Sequence, residues 1–171
     1  MLDHKPQGEL AELCFLCRAT TLGLTVSKPY GDSARYDFVV DAGAGLLRVQ
    51  VKSVSVMRRN DYRIAASSGS RLKRGYSAAE IDFLAAYVIP CDAWYIIPVS
   101  AFDSIVSLNV APHRPAKGRF EQYREAWHLL RPARVAQSLA CPERSRRALV
   151  REGGAGPSGL QQNINVRELS S

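Results

Sequence analysis

Features that mark several large classes of protein are missing from this 171-residue sequence. No stretch approaches the roughly 18 consecutive apolar residues of a membrane span, and residues 1–6 lack the apolar core of a signal peptide. There is no glycine-rich loop that could cradle phosphates, no serine or cysteine nucleophile motif and no internal repeat. We therefore expect a cytoplasmic protein that does not associate with membranes.

Cysteine and histidine are too few and too scattered to predict a disulfide framework or a zinc site. The sequence holds four cysteines and three histidines. Cys14 and Cys17 have a spacing that could begin a zinc site, but no second pair follows and the histidines do not cluster. Because this pair falls within a helical pattern, we expect buried free thiols.

Length and composition are typical of one globular domain with an additional segment. Hydrophobic residues make up 46% of the chain and charged residues 23%, which is ordinary for a soluble protein. Proline, glycine and charge become frequent after Leu130, while apolar residues become sparse. We therefore predict an ordered domain over residues 1–130 and a basic, weakly ordered C-terminal appendage over residues 131–171. The formal net charge of +7 suggests a polyanionic partner.

Residues 35–53 predict a β-hairpin. Two runs rich in β-branched, aromatic and aliphatic side chains flank a short segment that contains two glycines. A symmetric turn would place Asp37 opposite Gln50. Because side chains alternate along a strand, Asp37, Gln50 and Lys52 would share one face of the hairpin, and the other face would be apolar.

Together, these three side chains suit a metal-dependent reaction at a phosphate. Carboxylate and amide oxygens are the ligands that a hard divalent cation prefers. An ammonium group beside such a cation can stabilise the charge that develops on a phosphate under attack. The hairpin therefore indicates nuclease-like chemistry. Taken alone, the same residues could also be the polar side of an ordinary hairpin.

The hairpin resembles the PD-(D/E)xK nuclease superfamily. Asp37 stands at the motif's first acid and Lys52 at its lysine, while Gln50 replaces the second acid. Within the superfamily the chain most resembles the group I intron-encoded homing endonucleases, including a glutamine variant of the motif. The resemblance rests on Pro29-Tyr30-Gly31-Asp32, on Tyr36-Asp37 and on Arg48-Val49-Gln50-Val51-Lys52. Archaeal-type Holliday-junction resolvases are similar at a greater distance.

The resemblance implies an α/β fold with a restriction-endonuclease-like core, in which helices flank a mixed central β-sheet. It also implies a homo-oligomer, either a dimer or a tetramer, that hydrolyses phosphodiester bonds in double-stranded DNA. Glu12, Asp37 and Gln50 would hold Mg²⁺ or Mn²⁺, and Lys52 would position the attacking water or stabilise charge on the phosphate. The acid on the first helix could instead be Glu9, three residues before Glu12 and on the same helix face.

Two alternative functions stay open. A junction resolvase, or a repair or restriction nuclease, would share the catalytic residues and differ in the shape of its substrate. A catalytically silent DNA-binding protein would keep the fold after Gln50 had abolished metal binding.

A basic segment follows the hairpin, between residues 57 and 76. It combines cations with serine hydroxyls, and this composition suits the phosphates of a DNA backbone. The alternative is a mobile basic surface loop. The DNA-binding candidates are Arg58, Arg59, Arg63, Arg71, Lys73 and Arg74.

The remaining pattern predicts further elements around the hairpin. An amphipathic helix is expected over residues 7–21, its inward stripe formed by Leu10, Leu13, Cys14 and Cys17. Two apolar runs predict buried strands over residues 81–89 and 94–98, with a structural role for Asp82. Additional helices are expected over residues 99–106 and 119–130.

Overall fold

The computed structural model describes residues 4–31, 33–69, 73–114 and 118–131. The helix α1 (His4–Thr21) begins slightly before the predicted start and ends at the predicted residue. Gly23 follows with a φ of 77°, a left-handed conformation that closes a helix at little cost for glycine. Within the described ranges, no helix is long and apolar enough to cross a membrane.

The buried face of α1 is not the predicted one. Ala11, Phe15 and Ala19 follow one another at intervals of four residues and are at most 1% exposed, whereas Leu13 is 65% exposed. The small alanines let the helix lie close to the sheet, and Phe15 stacks on Phe38 with ring centroids 5.2 Å apart. The predicted stripe weighted large apolar side chains and missed the alanines. Of its members only Cys14 packs against the core, and Cys17 is an exposed free thiol.

Ten short strands follow α1 in the described part of the chain. They are β1 (Thr25–Ser27), β2 (Phe38–Asp41), β3 (Leu46–Val54), β4 (Met57–Arg58), β5 (Asp61–Ala65), β6 (Ser67–Ser68), β7 (Arg74–Gly75), β8 (Phe83–Val88), β9 (Ala93–Pro98) and β10 (Ser107–Val110).

Five of these strands form the central sheet in the order β1, β2, β3, β8, β9. β3 pairs antiparallel with β2 and parallel with β8, and β9 returns antiparallel beside β8. The sheet is therefore mixed and the α/β prediction is confirmed. β8 and β9 are buried along nearly their whole length, as their continuous apolar sequences predicted.

The β2–β3 hairpin has the predicted register, with Val39 opposite Arg48 and Asp41 opposite Leu46. β2 begins one residue after Asp37, and the Asp37 N–H donates to the Val49 carbonyl at 3.0 Å. This bond holds the backbone of Asp37 against β3 although the residue lies outside the strand. The carboxylate therefore stands at the entrance of the hairpin.

Each face of the central sheet carries its own apolar cluster. One cluster joins α1 to the sheet through Phe15, Phe38, Trp94 and Trp127. The other lies under β5 and β10 and includes Ile64 and the fully buried Tyr95. Burial on both faces makes the sheet the rigid centre of the domain.

The helices predicted over residues 99–106 and 119–130 are wrong. The first is a single 3₁₀ turn, Val99–Ala101, before β10. The second is two 3₁₀ turns, Glu121–Tyr123 and Trp127–Leu130. Between them the Glu125 N–H donates to the Trp94 carbonyl, and the Glu125 carboxylate accepts from the Trp94 N–H, both at 2.8 Å. This segment follows the outer edge of β9, where Tyr95 forms a β-bridge with Arg124, and it covers that edge of the sheet without forming a longer helix.

A second sheet, in the order β10, β5, β4, continues from the end of β3. β4 and β5 form a tight hairpin whose turn residues Arg59 and Asn60 have φ values of 51° and 65°. Two consecutive left-handed residues match the twist of a two-residue hairpin turn. The predicted basic segment therefore begins as an ordered hairpin rather than a loop.

An ion pair joins β3 to the residue that leads into β8. The backbone N–H, Nε and Nη2 of Arg48 donate to the Asp82 carboxylate at 2.7, 3.0 and 2.9 Å. The Asp82 N–H donates back to the Arg48 carbonyl at 2.9 Å, and the guanidinium also donates to the carbonyls of Ala78 and Ala79. This pair fixes the start of the parallel β3–β8 ladder and gives Asp82 its structural role.

Asp82→Asn should destabilise the domain at neutral pH but not in acid. Hydrogen bonds from Arg48, with its positive charge, hold the pKa of Asp82 below the ordinary value of 3.8. This contribution to stability is therefore present above pH 3.8 and is lost as the pH falls through the lowered pKa. Because the pair is partly exposed, we expect a loss on the order of 1 kcal/mol in the free energy of unfolding. Urea denaturation over a pH series measures it, and equal stability at neutral pH would contradict it.

Candidate functional site

The structure brings Asp37 and Gln50 into contact. The Gln50 Nε2 donates to Asp37 Oδ2 at 2.5 Å, and the Val51 backbone N–H donates to the same oxygen at 2.7 Å. Gln50 is only 7% exposed, and it is the one polar residue classed as buried in the described part of the chain. A buried amide bonded to a half-buried carboxylate is a specific arrangement, because either group would be costly to bury alone.

The orientation of the Gln50 amide follows from a second contact. Its Nε2 also donates to the Val51 carbonyl at 3.1 Å, so the nitrogen faces two acceptors and the oxygen must point elsewhere. Among the described residues, neither Gln50 Oε1 nor Asp37 Oδ1 accepts a hydrogen bond. The pair therefore keeps two oxygen atoms for a further partner. Proximity to Asp37 was expected, but donation by the amide nitrogen was not.

Several groups act on the charge of Asp37. Burial raises the pKa of its carboxyl most, and the negative charge of Glu12 raises it further. The Val51 N–H and the positive charges of Lys52 and Lys28 lower the pKa, but the net result is a pKa above the ordinary value of 3.8. A carboxylate that is costly to ionise where it lies is a good candidate for binding a cation.

Glu12 lies on the side of α1 that is near Asp37, whereas Glu9 is exposed and is not among the main influences on the pKa of Asp37. The Glu12 Oε2 accepts a hydrogen bond from Lys28 Nζ at 2.7 Å. Of the two helix acids, Glu12 is therefore the one that the fold associates with the hairpin.

Sequence reasoning missed two residues of this cluster, Lys28 and Tyr76. Lys28 follows β1 and is sixteen residues from Glu12 in the chain, so no local pattern signals the contact. Tyr76 is 3% exposed, and burial, followed by the charge of Asp37, raises its pKa to about 12.

A groove of about 540 Å³ begins at Ser53, next to Lys52 in the chain. Three of its wall residues are cations, and none is an aspartate or glutamate. Gln7 crosses one end, where its Nε2 donates to Ser53 Oγ at 3.2 Å and its Oε1 accepts from Ser55 Oγ at 2.8 Å. The polar and charged wall residues are Gln7, Ser53, Ser55, Arg58, Arg63, Lys73 and Ser107.

The predicted DNA-binding residues divide into groups in the structure. Arg58, Arg63 and Lys73 line the groove together. Arg59 lies in the β4–β5 turn, and Arg74 forms an ion pair with Glu80. Arg71 lies outside the described residues. The structure thus brings three of the six predicted residues to one surface.

The groove cations differ from most other arginines in their pairing. Arg48, Arg114 and Arg124 each form an ion pair at 3.1 Å or less. None of the three groove cations is ion-paired to a described acidic residue. Their charge is therefore available to an anionic ligand.

The oxygen donors of the cluster fit a hard divalent cation in type. Carboxylates of Glu12 and Asp37 and the amide oxygen of Gln50 suit Mg²⁺ or Mn²⁺ and are poor ligands for softer metals. Among the described residues there is no group of three or more His, Cys, Asp or Glu that could hold a metal. Any such site would therefore depend on the neutral amide of Gln50 beside two carboxylates.

Comparisons with known proteins agree with this geometry. A family model of the PD-(D/E)XK endonucleases matches residues 2–130, and the chain belongs to this family. A solved structure described as the bacterial homing endonuclease I-Ssp6803I is similar, with 31% sequence identity and a TM-score of 0.65. The match covers 75% of this chain and 93% of that one. Comparison with curated proteins gives no match. The predicted superfamily and its homing-endonuclease-like character are confirmed, and the domain boundary after residue 130 stays a prediction.

Asp37→Asn should stabilise the metal-free protein at neutral pH. An asparagine oxygen can accept the bonds from Gln50 and Val51 without a buried charge. Because the folded pKa of Asp37 is raised above 3.8, its ionisation opposes folding, and this cost appears as the pH rises through the raised pKa. We expect a melting temperature a few degrees above the parent's at neutral pH, and a gain that vanishes in acid.

Thermal unfolding in the presence of a chelator measures this change. Asp82→Asn is the matched control, because the same chemical substitution should shift stability in the opposite direction. A lower melting temperature for Asp37→Asn at neutral pH would mean that the attraction of Asp37 to Lys28 and Lys52 outweighs the cost of burying its charge.

Proposed function

We propose that this chain is a metal-dependent DNA endonuclease that hydrolyses phosphodiester bonds. The observation that carries the proposal is the Asp37–Gln50 contact at the hairpin entrance, with Lys52 two residues further along β3. Membership in the PD-(D/E)XK endonuclease family supports it. Members of this family generally use divalent metal ions.

Glu12, Asp37 and Gln50 would hold the metal ion, either Mg²⁺ or Mn²⁺. When bound, such an ion supplies Lewis-acid activation and neutralises charge on the phosphate. The N–H groups of Gln50 and Val51 hold Asp37 Oδ2 in place, and Oδ1 accepts no hydrogen bond from the described residues. Fixing one carboxylate oxygen in this way orients the other, as outer-shell hydrogen bonds do in metal sites.

Lys52 is half-buried and on the strand face shared with Gln50. Its ammonium group is close enough to Asp37 to lower the pKa of that carboxyl. A cation held at this position can stabilise the negative charge that builds on a phosphate oxygen during attack, and it can orient the attacking water. We therefore assign Lys52 the role of electrostatic stabiliser.

The groove is the proposed path of the DNA backbone. It is lined by Ser53, the residue after Lys52, and by Arg58, Arg63 and Lys73, which form no ion pair with the acidic residues that the structure describes. Its cations and serine hydroxyls suit phosphate contacts, which position a duplex without specifying sequence. Double-stranded DNA, a homing-type activity and a dimeric or tetrameric assembly remain proposals supported by similarity to the bacterial homing endonuclease.

One observation favours a second candidate, a catalytically silent DNA-binding protein. The Gln50 amide replaces the motif's second acid and caps Asp37 with N–H groups instead of adding negative charge. Incubation of supercoiled plasmid with Mg²⁺, with and without chelator, separates the two functions. Metal-dependent nicking by the parent, absent in Asp37→Asn and Lys52→Ala, supports the endonuclease. Binding without nicking under any divalent cation supports the silent protein.

Substitution of Gln50 tests its role as a ligand. Gln50→Ala removes both the amide oxygen and the donor to Asp37, so we expect a loss of cleavage of about 10- to 100-fold, with DNA binding retained. Cleavage at the parental rate, in an assay where Asp37→Asn and Lys52→Ala are inactive, would reduce Gln50 to a strand residue.

Gln50→Glu should retain activity and require less Mg²⁺. The new carboxylate would lie against Asp37 Oδ2 and repel it, so the metal-free variant should melt at a lower temperature than the parent. Added Mg²⁺ should recover more stability in this variant than in the parent. A melting temperature that is insensitive to Mg²⁺ would argue against a shared ion.

The triple variant Arg58→Gln, Arg63→Gln, Lys73→Gln should weaken DNA binding for all sequences. The slope of log affinity against log salt should become shallower by about one unit per lost phosphate contact. Arg18, Arg119 and Arg124 lie outside the groove, and their triple change to glutamine lowers the net charge equally. Equal effects of the two variants on the slope would show that only net charge matters.

A further inference from the structure

Lys28 forms an ion pair with Glu12, the acidic residue that α1 contributes to the proposed metal site. Its Nζ lies 2.7 Å from Glu12 Oε2 and 5.8 Å from the centroid of the Phe38 ring, the residue after Asp37. Its positive charge also acts on Asp37 itself. The lysine thus binds one of the two carboxylates that a divalent cation would need and lowers the pKa of the other.

The Lys28–Glu12 ion pair is exposed enough to separate without disturbing the core. The Lys28 side chain is 62% exposed and the Glu12 side chain 26% exposed. Lys28 lies outside β1 in the segment that leads to Gly31, whose φ is 79°. Exposed ion pairs of this kind contribute little to stability, so the ammonium can move into solvent without disturbing the core.

Charge also favours exchange. Within the cluster of Glu12, Asp37, Lys28 and Lys52 the charges cancel while Lys28 is in place. Glu9, outside this cluster, adds a negative charge that also acts on Lys28. Once Lys28 has moved away, the cluster carries one net negative charge. A divalent ion and the lysine therefore compete for the same acid.

We propose that Lys28 is an internal counter-cation that holds Glu12 in the metal-free protein and is displaced when a divalent cation binds. This inference rests on the proposed function, because it assumes that Glu12 and Asp37 hold the metal. Its consequence is that Lys28 sets the divalent-cation affinity of the site without being a ligand.

The test measures Mn²⁺ binding to the full chain without DNA, from the loss of the electron paramagnetic resonance signal of free Mn²⁺. Lys28→Gln should bind Mn²⁺ about two- to fivefold more tightly, the effect expected from removal of an exposed ion-pair partner. Lys5→Gln is the control, because it removes one exposed positive charge from the start of α1 and should leave the affinity nearly unchanged.

A double-mutant cycle with Glu12→Gln shows whether Lys28 acts through Glu12. In the Glu12→Gln background, Lys28→Gln should no longer tighten Mn²⁺ binding. If it tightens binding there by the same factor, Lys28 acts only as a general charge and the proposed exchange is wrong.

The remaining outcomes separate this inference from the proposed function. If Asp37→Ala abolishes Mn²⁺ binding while Lys28→Gln matches Lys5→Gln, the inference fails and the metal site stands. If neither the parent nor Lys28→Gln binds Mn²⁺, both fail. If Lys28→Gln weakens metal-free DNA binding and leaves Mn²⁺ affinity unchanged, Lys28 contacts phosphate and the inference is overturned.

Discussion

The position of β3 between an antiparallel and a parallel neighbour is the constraint on which the domain depends. The Arg48–Asp82 ion pair fixes the register between β3 and its parallel neighbour β8. The β2–β3 hairpin fixes the register with the antiparallel neighbour. With both registers set, the side chains of β3 have no freedom to exchange faces. Gln50 must then meet Asp37, and Lys52 must follow it on the same side.

The hairpin was predictable because its information is local. Two runs of strand-forming residues around a short turn allow one economical pairing, and alternation along the strands then separates polar from apolar side chains. The buried strands β8 and β9 were equally evident, since a strand covered on both faces reads as a continuous apolar run. These elements supply most of the central sheet and three of the four predicted catalytic residues.

The parts that the sequence did not predict depend on contacts between distant segments. The buried face of α1 is determined by alanines that fit closely against the sheet. A prediction from hydrophobic periodicity gives such small residues little weight. Residues 119–130 have a helical pattern, but contacts with the edge of β9, such as the two hydrogen bonds between Glu125 and Trp94, divide the segment into separate 3₁₀ turns. The Lys28–Glu12 contact joins residues sixteen positions apart, and Lys28 belongs to no motif. Tertiary context overrides local propensity in each case.

The distribution of charge links the hairpin to the groove. Most arginines that the structure describes outside the groove form ion pairs with nearby carboxylates, and such pairs weaken their attraction for an external anion. Arg58, Arg63 and Lys73 form no ion pair with a described acidic residue, and they share the groove with the last residues of the strand that carries Gln50 and Lys52. A polyanion bound in the groove would therefore contact β3 at Ser53, the residue next to Lys52. The same strand would then carry residues of both the anion-binding groove and the proposed catalytic site, so the register of β3 would determine the positions of both.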